Sequence, residues 1–338
     1  MPVFLLRYVK FRAFSPQVFH VKQAFLRNRI LALPSEVPLA QSTRSIPIID
    51  YEGSSYKTDF WEGQGREFED LTERHAVRRL LPSSGNVLVE VGAGFGRLAD
   101  LYDRFERIVL VDYSTSLLAE ARDRFGDDPR YQFVAANVYH LPFVANLADV
   151  VVMIRVAHHL EAIDVALAEI HRVLGGGRTF IMEFANKRNA KAIARYLLRK
   201  QSWNPFDAEP YEFVPLNFDF HPGWMREQLE QAGFRIEAEL AISHFRIPAI
   251  KHRVSPALLA RIDNAIAGPG AVFKFSPSIL TKNISTKPHT PAVGFFQCPK
   301  CGNQGLEAKE TGYFCPRCEE TWRVQDGIAD FRFPRPGS

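Results

Sequence analysis

The sequence predicts an α/β protein with a doubly wound, mostly parallel sheet, followed by a small C-terminal β unit. Three observations lead to this prediction. Short apolar strand patterns alternate with helical patterns over residues 60–284, which is typical of parallel strands joined by crossover helices. A Gly-rich turn at residues 92–96 follows the first of these strands. All four cysteines lie between residues 298 and 318.

The composition limits the class of protein. Of the 338 residues, 46% are hydrophobic and 24% are charged, which excludes a disordered or fibrous chain. No apolar run approaches the about 18 residues of a membrane-spanning helix. The net charge of +4 is mild. Because no thiol precedes residue 298, the main domain has no disulfide framework, no cysteine nucleophile and no radical-type iron–sulfur cluster.

The predicted domains begin with a basic N-terminal arm over residues 1–59. Its first 35 residues carry six basic side chains and no acid. Three interpretations stay open: an arm packed on its own domain, an organelle transit segment, and a basic aromatic segment that makes peripheral contact with a membrane surface.

Residues 60–284 form the predicted main domain. It opens with a helix that Pro82 ends. The strands that follow are predicted at Val87–Val91, Ile108–Val111, Tyr131–Ala135, Asp149–Ile154 and Thr179–Phe184. The helices between them are predicted at Arg97–Phe105, Ser114–Phe125 and Glu161–Leu174. The domain is completed by a basic helix over Lys187–Lys200, a helix from Pro222, a strand over Arg235–Ile242, a helix over Pro256–Ala267 and a strand over Ser278–Ile284. Residues 285–294 contain two prolines and are predicted to be a linker before residues 295–338.

The Gly-rich turn is the first candidate binding site. Gly92, Gly94 and Gly96 follow a buried strand and let backbone amides approach a ligand where a Cβ would clash. Glu90 precedes the turn, and Asp112 ends the next strand, where a carboxylate can accept hydrogen bonds from both ribose hydroxyls of a nucleoside. The spacing differs from the dinucleotide fingerprint GxGxxG.

Taken together, these motifs resemble class I S-adenosylmethionine-dependent methyltransferases. The resemblance runs in order through residues 90–96, 111–114, 137–143, 149–160 and 172–177. It implies a Rossmann-like methyltransferase fold and S-adenosylmethionine as methyl donor. Asn137 stands where the family usually has Asp. The cofactor-binding residues that the resemblance implies are Glu90, Gly92, Ala93, Gly94, Gly96, Asp112, Tyr113, Asn137 and Val138.

Two adjacent histidines are the candidate catalytic bases. His158 and His159 follow the fourth strand, and an imidazole has a suitable pKa for removing a proton from an acceptor. The alternative is that one caps a helix or packs in the core. Arg155, Glu183 and Asn186 are further strand-end candidates. Amino methylation of adenine or glutamine is disfavoured because the Asn/Asp-Pro-Pro-Tyr/Phe motif is missing after this strand, and pyrimidine C5 methylation is disfavoured because the domain lacks a cysteine.

The four cysteines predict a structural zinc site. Cys298 and Cys301 form one CxxC pair, and Cys315 and Cys318 form a second pair thirteen residues later. Four thiolates suit tetrahedral Zn²⁺ better than two strained disulfides, while an iron centre is the other alternative. The segment resembles the small zinc-ribbon protein that activates several tRNA and protein methyltransferases. Its six basic and six acidic residues cancel, which favours packing on the catalytic domain or on an unknown protein partner over RNA binding.

Positive charge is concentrated in the predicted basic helix. Arg188, Lys191, Arg195 and Arg199 are spaced three, four and four residues apart and are expected to share one face. The face is either simply solvated or attracts an anionic substrate or surface.

The sequence therefore predicts a methyltransferase whose substrate is a small-molecule or lipid-like acceptor. RNA is the alternative acceptor, and a non-enzymatic scaffold with the same fold is the third interpretation. The expected location is cytoplasmic, in association with a membrane surface.

Overall fold

The computed structural model describes residues 46–54, 61, 65–251 and 253–335. Most of the predicted basic arm, including its candidate membrane contact, lies outside the described residues. The described segments belong to one compact unit that begins at Ser45.

Helices and strands alternate through most of this unit. The helices are α1 (Glu67–Leu80), α2 (Thr115–Phe125), α3 (Ile163–Val173), α4 (Ala190–Leu197), α5 (Pro222–Gln231), α6 (Pro248–Lys251) and α7 (Pro256–Phe273). The strands of the main domain are β1 (Gly85–Val91), β2 (Phe105–Asp112), β3 (Tyr131–Ala135), β4 (Ala148–Met153), β5 (Leu174–Ala185), β6 (Tyr211–Val214), β7 (Asn217–Asp219), β8 (Phe234–Ile242) and β9 (Ser278–Ser285). The C-terminal strands are β10 (Glu307–Lys309), β11 (Gly312–Phe314), β12 (Thr321–Gln325) and β13 (Ile328–Asp330).

The central sheet confirms the predicted fold class. Its main-domain strands lie in the order β3-β2-β1-β4-β5-β9-β8. The first five are mutually parallel, and β9 runs antiparallel between β5 and β8. The strand order reverses between β1 and β4, and a crevice for ligands opens at the carboxyl ends of parallel strands at such a reversal.

Side chains that alternate along the strands build a core on each face of the sheet. Leu88 and Ile108 face one core, while Val89 and Val109, their chain neighbours, face the other. All four are fully buried. Burial on both faces explains why these strands appear in the sequence as continuous apolar runs.

The C-terminal strands extend this sheet. Strands β10 to β13 form an antiparallel meander, and β13 then pairs in parallel with β3 through Ile328–Phe133 and Asp330–Ala135. Trp322 and Phe331 of this C-terminal ribbon (residues 295–335) are buried in the same core as the main domain. The ribbon therefore packs on the catalytic domain of its own chain and covers the β3 edge.

Two helix predictions are wrong in part. The apolar spacing of residues 97–105 predicts a helix, but this segment forms only a single 3₁₀ turn at Ala99–Leu101, and β2 begins at Phe105. Leu98, Tyr102 and Phe105 are buried as anchors of a tight connection, so their helical spacing arises without a helix.

Among the helices of the described segments, none has both the length and the apolar character needed to cross a bilayer.

The basic helix is shorter than predicted. The side chain of Asn189 caps its first turn, and Arg199 has a left-handed φ of 53° just beyond its end. Of the four predicted cations, only Lys191 and Arg195 lie within α4. Lys187 is buried and donates to the backbone carbonyls of residues 207 and 209.

The shared core leads to a prediction about stability. Phe331→Ala should lower the free energy of unfolding by about 3–5 kcal/mol because it leaves a cavity between Trp322, Phe296 and the main domain. Urea unfolding, followed by tryptophan fluorescence and by circular dichroism, measures this loss. Val293→Ala, at a side chain that is 78% exposed, is the control and should change stability by less than about 0.5 kcal/mol. A ribbon that unfolds in a separate transition, leaving the main domain unaffected, would contradict the shared core.

Candidate active site

A cavity with about 760 Å³ of empty space, part of it open to solvent, occupies the crevice between β1 and β4. It lies at the carboxyl ends of β1, β2 and β4, where the strand order reverses. Its wall is largely apolar, with a few polar groups. The residues that line it include Ile48, Tyr51, Gly92, Gly94, Asp112, Tyr113, Val138, Arg155, Val156 and His159.

The glycine turn shapes the floor of this cavity. Gly92 has a φ of +73°, and a Cβ there would lie 2.1 Å from a methyl group of Val156. Gly94 has a φ of +53°, and among the described residues other than its chain neighbours the atom nearest to the position of its Cβ is a Leu117 methyl carbon, at 4.0 Å. The turn therefore packs tightly at Gly92 and leaves space beside Gly94 for a ligand.

Asp112 is fixed beside the glycine turn. Its carboxylate accepts hydrogen bonds from the backbone amides of Gly94, at 2.7 Å, and Ser114, at 2.9 Å. Burial raises the pKa of Asp112, although these amides favour the ionised form. Because the two amides hold the carboxylate in place, its remaining lone pairs can accept hydrogen bonds from a ligand.

A second, smaller cavity of about 380 Å³ adjoins the first and shares Gly92, Gly94 and Arg155 with it. Its wall includes Trp61 and Glu90. Burial raises the pKa of Glu90 to about 8, and its Oε2 has no hydrogen-bond partner among the described residues. Glu90 is thus a buried polar group available to a ligand.

Arg155 and Arg97 are held beside this second cavity by a buried carboxylate. Glu73 is fully buried and pairs with Arg97 at 2.6 Å and with Arg155 at 2.5 Å. Burial alone would raise the pKa of Glu73, but the two guanidinium groups outweigh it and keep the pKa below its usual value. The Trp61 ring lies over both guanidinium groups, at 4.0 Å from Arg97 and 5.0 Å from Arg155.

His159 has the geometry of a proton acceptor. Its Nδ1 lies 3.2 Å from the carbonyl of Leu216, and its Nε2 lies 3.3 Å from the hydroxyl of Tyr51. Because a carbonyl only accepts, Nδ1 carries the hydrogen and Nε2 is left as an acceptor. Burial lowers the pKa of His159 below 6.5, so the imidazole is neutral at pH 7.

His158 differs from its neighbour. It is not among the residues that line either cavity. Burial, the adjacent His159 ring and the charge of Arg155 hold the pKa of His158 well below its usual value. Only His159 of the predicted pair therefore faces the crevice.

The other strand-end candidates have different positions. Arg155 lines both cavities and has a left-handed φ of 60°. Its backbone amide donates to Glu183 at 3.1 Å. Asn186 is buried and donates to the carbonyls of Lys274 and Ser276, which ties β5 to the chain before β9.

The predicted cofactor-binding residues are only partly brought together. Tyr113 and Val138 line the larger cavity with Asp112, and Ala93 lines the smaller one. Gly96 packs instead beneath α2. Asn137 lines neither cavity, because its amide donates to the Phe333 carbonyl of the ribbon and its Oδ1 accepts from the Tyr139 amide. The assigned roles stay predictions.

Sequence analysis missed the side chains that precede the first motif. Ile48 and Tyr51 line the larger cavity, and Trp61 lines the smaller one. They lie in a segment without a periodic pattern, before α1. In the sequence, Tyr51 and Trp61 are recognisable only as aromatic residues among polar neighbours, and this pattern does not indicate a binding role.

The four cysteines converge in the ribbon. Their sulfurs lie within 4.8 Å of one another, with 3.6 Å between Cys298 and Cys318 and 3.6 Å between Cys301 and Cys315. Sulfurs bound at about 2.3 Å to one tetrahedral zinc ion are about 3.8 Å apart. The cluster is compatible with a zinc ribbon.

Comparison with known proteins identifies the family. The family model described as "Methyltransferase domain" matches residues 89–182. A probable S-adenosylmethionine-dependent methyltransferase of Mycolicibacterium smegmatis is 30% identical, over 63% of this chain and 71% of that protein. This chain belongs to the S-adenosylmethionine-dependent methyltransferases. S-adenosylmethionine is therefore its methyl donor.

Other similar proteins have lower identity. The ubiquinone/menaquinone biosynthesis C-methyltransferase UbiE of Hahella chejuensis is 28% identical over 48% of this methyltransferase and 72% of that protein. A solved complex of the Haloferax volcanii Trm112 methyltransferase activator with a methyltransferase aligns with a TM-score of 0.48 and 20% identity. It covers 70% of this chain and 98% of that one.

The position of Asp112 leads to a prediction about the methyl donor. Asp112→Ala should weaken binding of S-adenosylmethionine by about 1–3 kcal/mol, since a charged hydrogen-bond acceptor is lost. Isothermal titration calorimetry measures the change. Asp123→Ala removes an exposed carboxylate paired with Arg122 and should bind as the unmodified protein does. Equal affinities for the two variants would remove Asp112 from the site.

Proposed function

We propose that the two adjoining cavities hold S-adenosylmethionine around the glycine turn. The residues fit it in three respects: Asp112 offers acceptors to the ribose hydroxyls, the space beside Gly94 admits the ligand, and the unpartnered Oε2 of Glu90 can accept from the ammonium group. Bound there, S-adenosylmethionine supplies a methyl group that is already activated as a sulfonium. The protein then has to align the acceptor, exclude water and remove a proton.

The proton is removed by His159 through Tyr51. The Tyr51 hydroxyl donates to the bare Nε2 of His159, and in doing so it can take a proton from an acceptor hydroxyl or acidic C–H in the cavity. The observation that carries this mechanism is the hydrogen bond from Nδ1 to the Leu216 carbonyl, because it fixes the tautomer that leaves Nε2 as the acceptor.

The acceptor is a small or lipid-like molecule. The cavity that His159 lines also has an apolar wall, which suits a ring or an alkyl chain better than a charged polymer. This wall includes Ile48, Val91, Val156 and Leu160. The names of the UbiE relatives, which are C-methyltransferases of quinone biosynthesis, support the same class of acceptor. The enzyme would act in the cytoplasm, at or near a membrane surface.

RNA is the second candidate acceptor. The exposed cations Lys191 and Arg195 on α4 favour it, as does the likeness of the ribbon to the zinc-ribbon activator of tRNA methyltransferases. The ribbon itself brings no net positive charge to attract a phosphate backbone. The small acceptor therefore fits the described surface better.

The ribbon holds one structural zinc ion. Burial and the neighbouring thiols raise the pKa of Cys318 to about 12, whereas hydrogen bonds from backbone amides and Asn303 lower the pKa of Cys315 to about 6 against the effect of burial. Thiolates only 3.6 Å apart repel one another, so all four can be ionised together only with a cation between them. Four cysteine ligands would satisfy zinc and leave no position for a substrate. The role of the metal is therefore structural: it would stabilise the ribbon, which covers the β3 edge.

The proton path leads to a prediction about activity. His159→Gln should lower the rate of methyl transfer roughly a hundredfold to ten-thousandfold, while S-adenosylmethionine affinity stays unchanged. In the unmodified enzyme, the rate should be constant from pH 7 to 8. At a pH below 6.5 the rate should decrease, because His159 must be neutral to accept a proton; burial lowers its pKa, so the ring becomes protonated only in this more acidic range. The assay follows label from the methyl donor into extracted lipids.

Two variants make this test specific. Tyr51→Phe should also slow the reaction because it removes the relay hydroxyl, and His289→Gln, at an exposed histidine, should leave the rate unchanged. A His159→Gln enzyme with the full rate and an unchanged pH profile would eliminate the proposed base.

The thiol cluster leads to a prediction about metal content. Purified protein should contain one zinc ion per chain by elemental analysis, and Cys318→Ser should lose most of it because one of four ligands is missing. Lys300→Gln lies between the first two cysteines but spares every thiol, so it should retain the metal. Metal-free protein with cysteines titrating as disulfides would refute the zinc site.

A further inference from the structure

An exposed apolar surface surrounds the basic helix α4. Leu197 and Leu198 at its end are 69% and 65% exposed, and Phe206, Phe213 and Val214 in the following segment are 47%, 52% and 49% exposed. The rings of Tyr196 and Phe206 pack edge to face, with 6.3 Å between their centroids, so the helix and the following segment lie together. We name this surface, residues 191–214, the α4–β6 surface. Soluble domains rarely expose so many large apolar side chains side by side without a binding role.

Unpaired positive charge accompanies these apolar residues. Lys191, Arg195, Arg199 and Lys200 are exposed, and none takes part in an ion pair within the described part of the chain. No acid occurs between residues 185 and 206. The acids of this surface are Asp207, Glu209 and Glu212, and Asp219 lines the same pocket as Lys191 and Arg195. All of them follow residue 206, so the positive charge is concentrated on α4 and the turn at its end.

A pocket of about 800 Å³ opens within the same surface. Lys191 and Arg195 form one side of it, and Trp203, Tyr211 and Phe213 form another. The rings of Trp203 and Tyr211 are stacked, with 4.7 Å between their centroids. Aromatic rings beside exposed cations have the chemistry of the interface between lipid headgroups and acyl chains.

The α4–β6 surface is also connected to the active site. The segment that carries it continues through Leu216, whose carbonyl accepts from Nδ1 of His159. Strand β7 then returns the chain to the sheet through the bridge between Asn186 and Phe220. Helix α4 itself follows the carboxyl end of β5, the same edge of the sheet at which the crevice opens.

We propose that the α4–β6 surface docks the enzyme on an anionic lipid bilayer. Lys191, Arg195, Arg199 and Lys200 meet the headgroups, while Leu197, Leu198 and Phe206 enter the boundary with the acyl chains. Charge complementarity favours this occupant, because α4 and the turn at its end place four exposed cations beside the exposed apolar side chains of Leu197 and Leu198, and a purely electrostatic partner would leave those apolar side chains in water. The basic helix is one of two contacts with an anionic surface that the sequence suggests; the other, in the N-terminal arm, lies outside the described residues.

Vesicle sedimentation of the full chain tests the proposal in the absence of methyl donor. The protein should bind vesicles of phosphatidylcholine mixed with phosphatidylserine, and added salt should weaken the binding. The quadruple variant Lys191→Gln, Arg195→Gln, Arg199→Gln and Lys200→Gln should bind more than tenfold more weakly, since each cation near the headgroups contributes about fivefold. Leu197→Ser with Phe206→Ser should weaken binding severalfold at any salt concentration.

A matched variant controls for loss of charge alone. Arg78→Gln, Arg104→Gln, Arg253→Gln and Arg323→Gln remove four exposed cations from other surfaces and should leave most of the vesicle binding. All variants should keep their affinity for S-adenosylmethionine, which separates docking from the proposed function.

Three results would overturn the docking proposal while leaving the methyltransferase site intact. The first is unmodified protein that does not bind anionic vesicles, and the second is equal loss of binding in the two quadruple variants. The third is a dimer in analytical ultracentrifugation that Leu197→Ser with Phe206→Ser dissociates, because a second copy would then be the occupant.

Discussion

The reversal of strand order between β1 and β4 is the constraint on which the rest of the structure depends. Connections that leave these two strands turn to opposite sides, so no helix covers their carboxyl ends and a crevice remains. The sheet supplies four residues of the site at this edge: Gly94 after β1, Asp112 at the end of β2, and Arg155 and His159 after β4. Tyr51 reaches the same cavity from the segment before α1. The apolar cores on both faces hold these strand ends rigidly, which lets short loops carry the site.

The parts of the fold that depend on local pattern could be predicted from sequence. Buried parallel strands appear as apolar runs, and the glycine turn identified the crevice because its backbone requires residues without a Cβ. Predictions were less accurate where tertiary contacts decide. The segment 97–105 has helical spacing but is held as a tight turn by buried anchors, and α4 begins later than predicted because Lys187 is drawn inward and Asn189 caps the first turn. Tyr51 and Trp61 reach the cavities from a distant segment with no periodicity.

Sheet continuity joins the ribbon to the catalytic domain. Strand β13 pairs with β3. The chain after β13 then contacts two loops of the catalytic domain. The Asn137 side-chain amide, beyond β3, donates to the Phe333 carbonyl, and Arg332 lies over the ring of Tyr113, which follows β2. The thiol cluster therefore stabilises an element that contacts two predicted cofactor-binding residues. The segment between β5 and β8 also contributes to the site. The Leu216 carbonyl in this segment accepts from His159, and the same segment carries the α4–β6 surface.

The most direct test of methyl transfer to a small or lipid-like acceptor uses radiolabelled S-adenosylmethionine in a cell extract. The extract is incubated with the purified enzyme and then separated into lipid, RNA, protein and small-molecule fractions. The account predicts label in the organic-soluble or small-molecule fraction, dependent on added enzyme and missing when Asp112→Ala protein is used at low donor concentration. Enzyme-dependent label in RNA, or no enzyme-dependent label in any fraction, would contradict it.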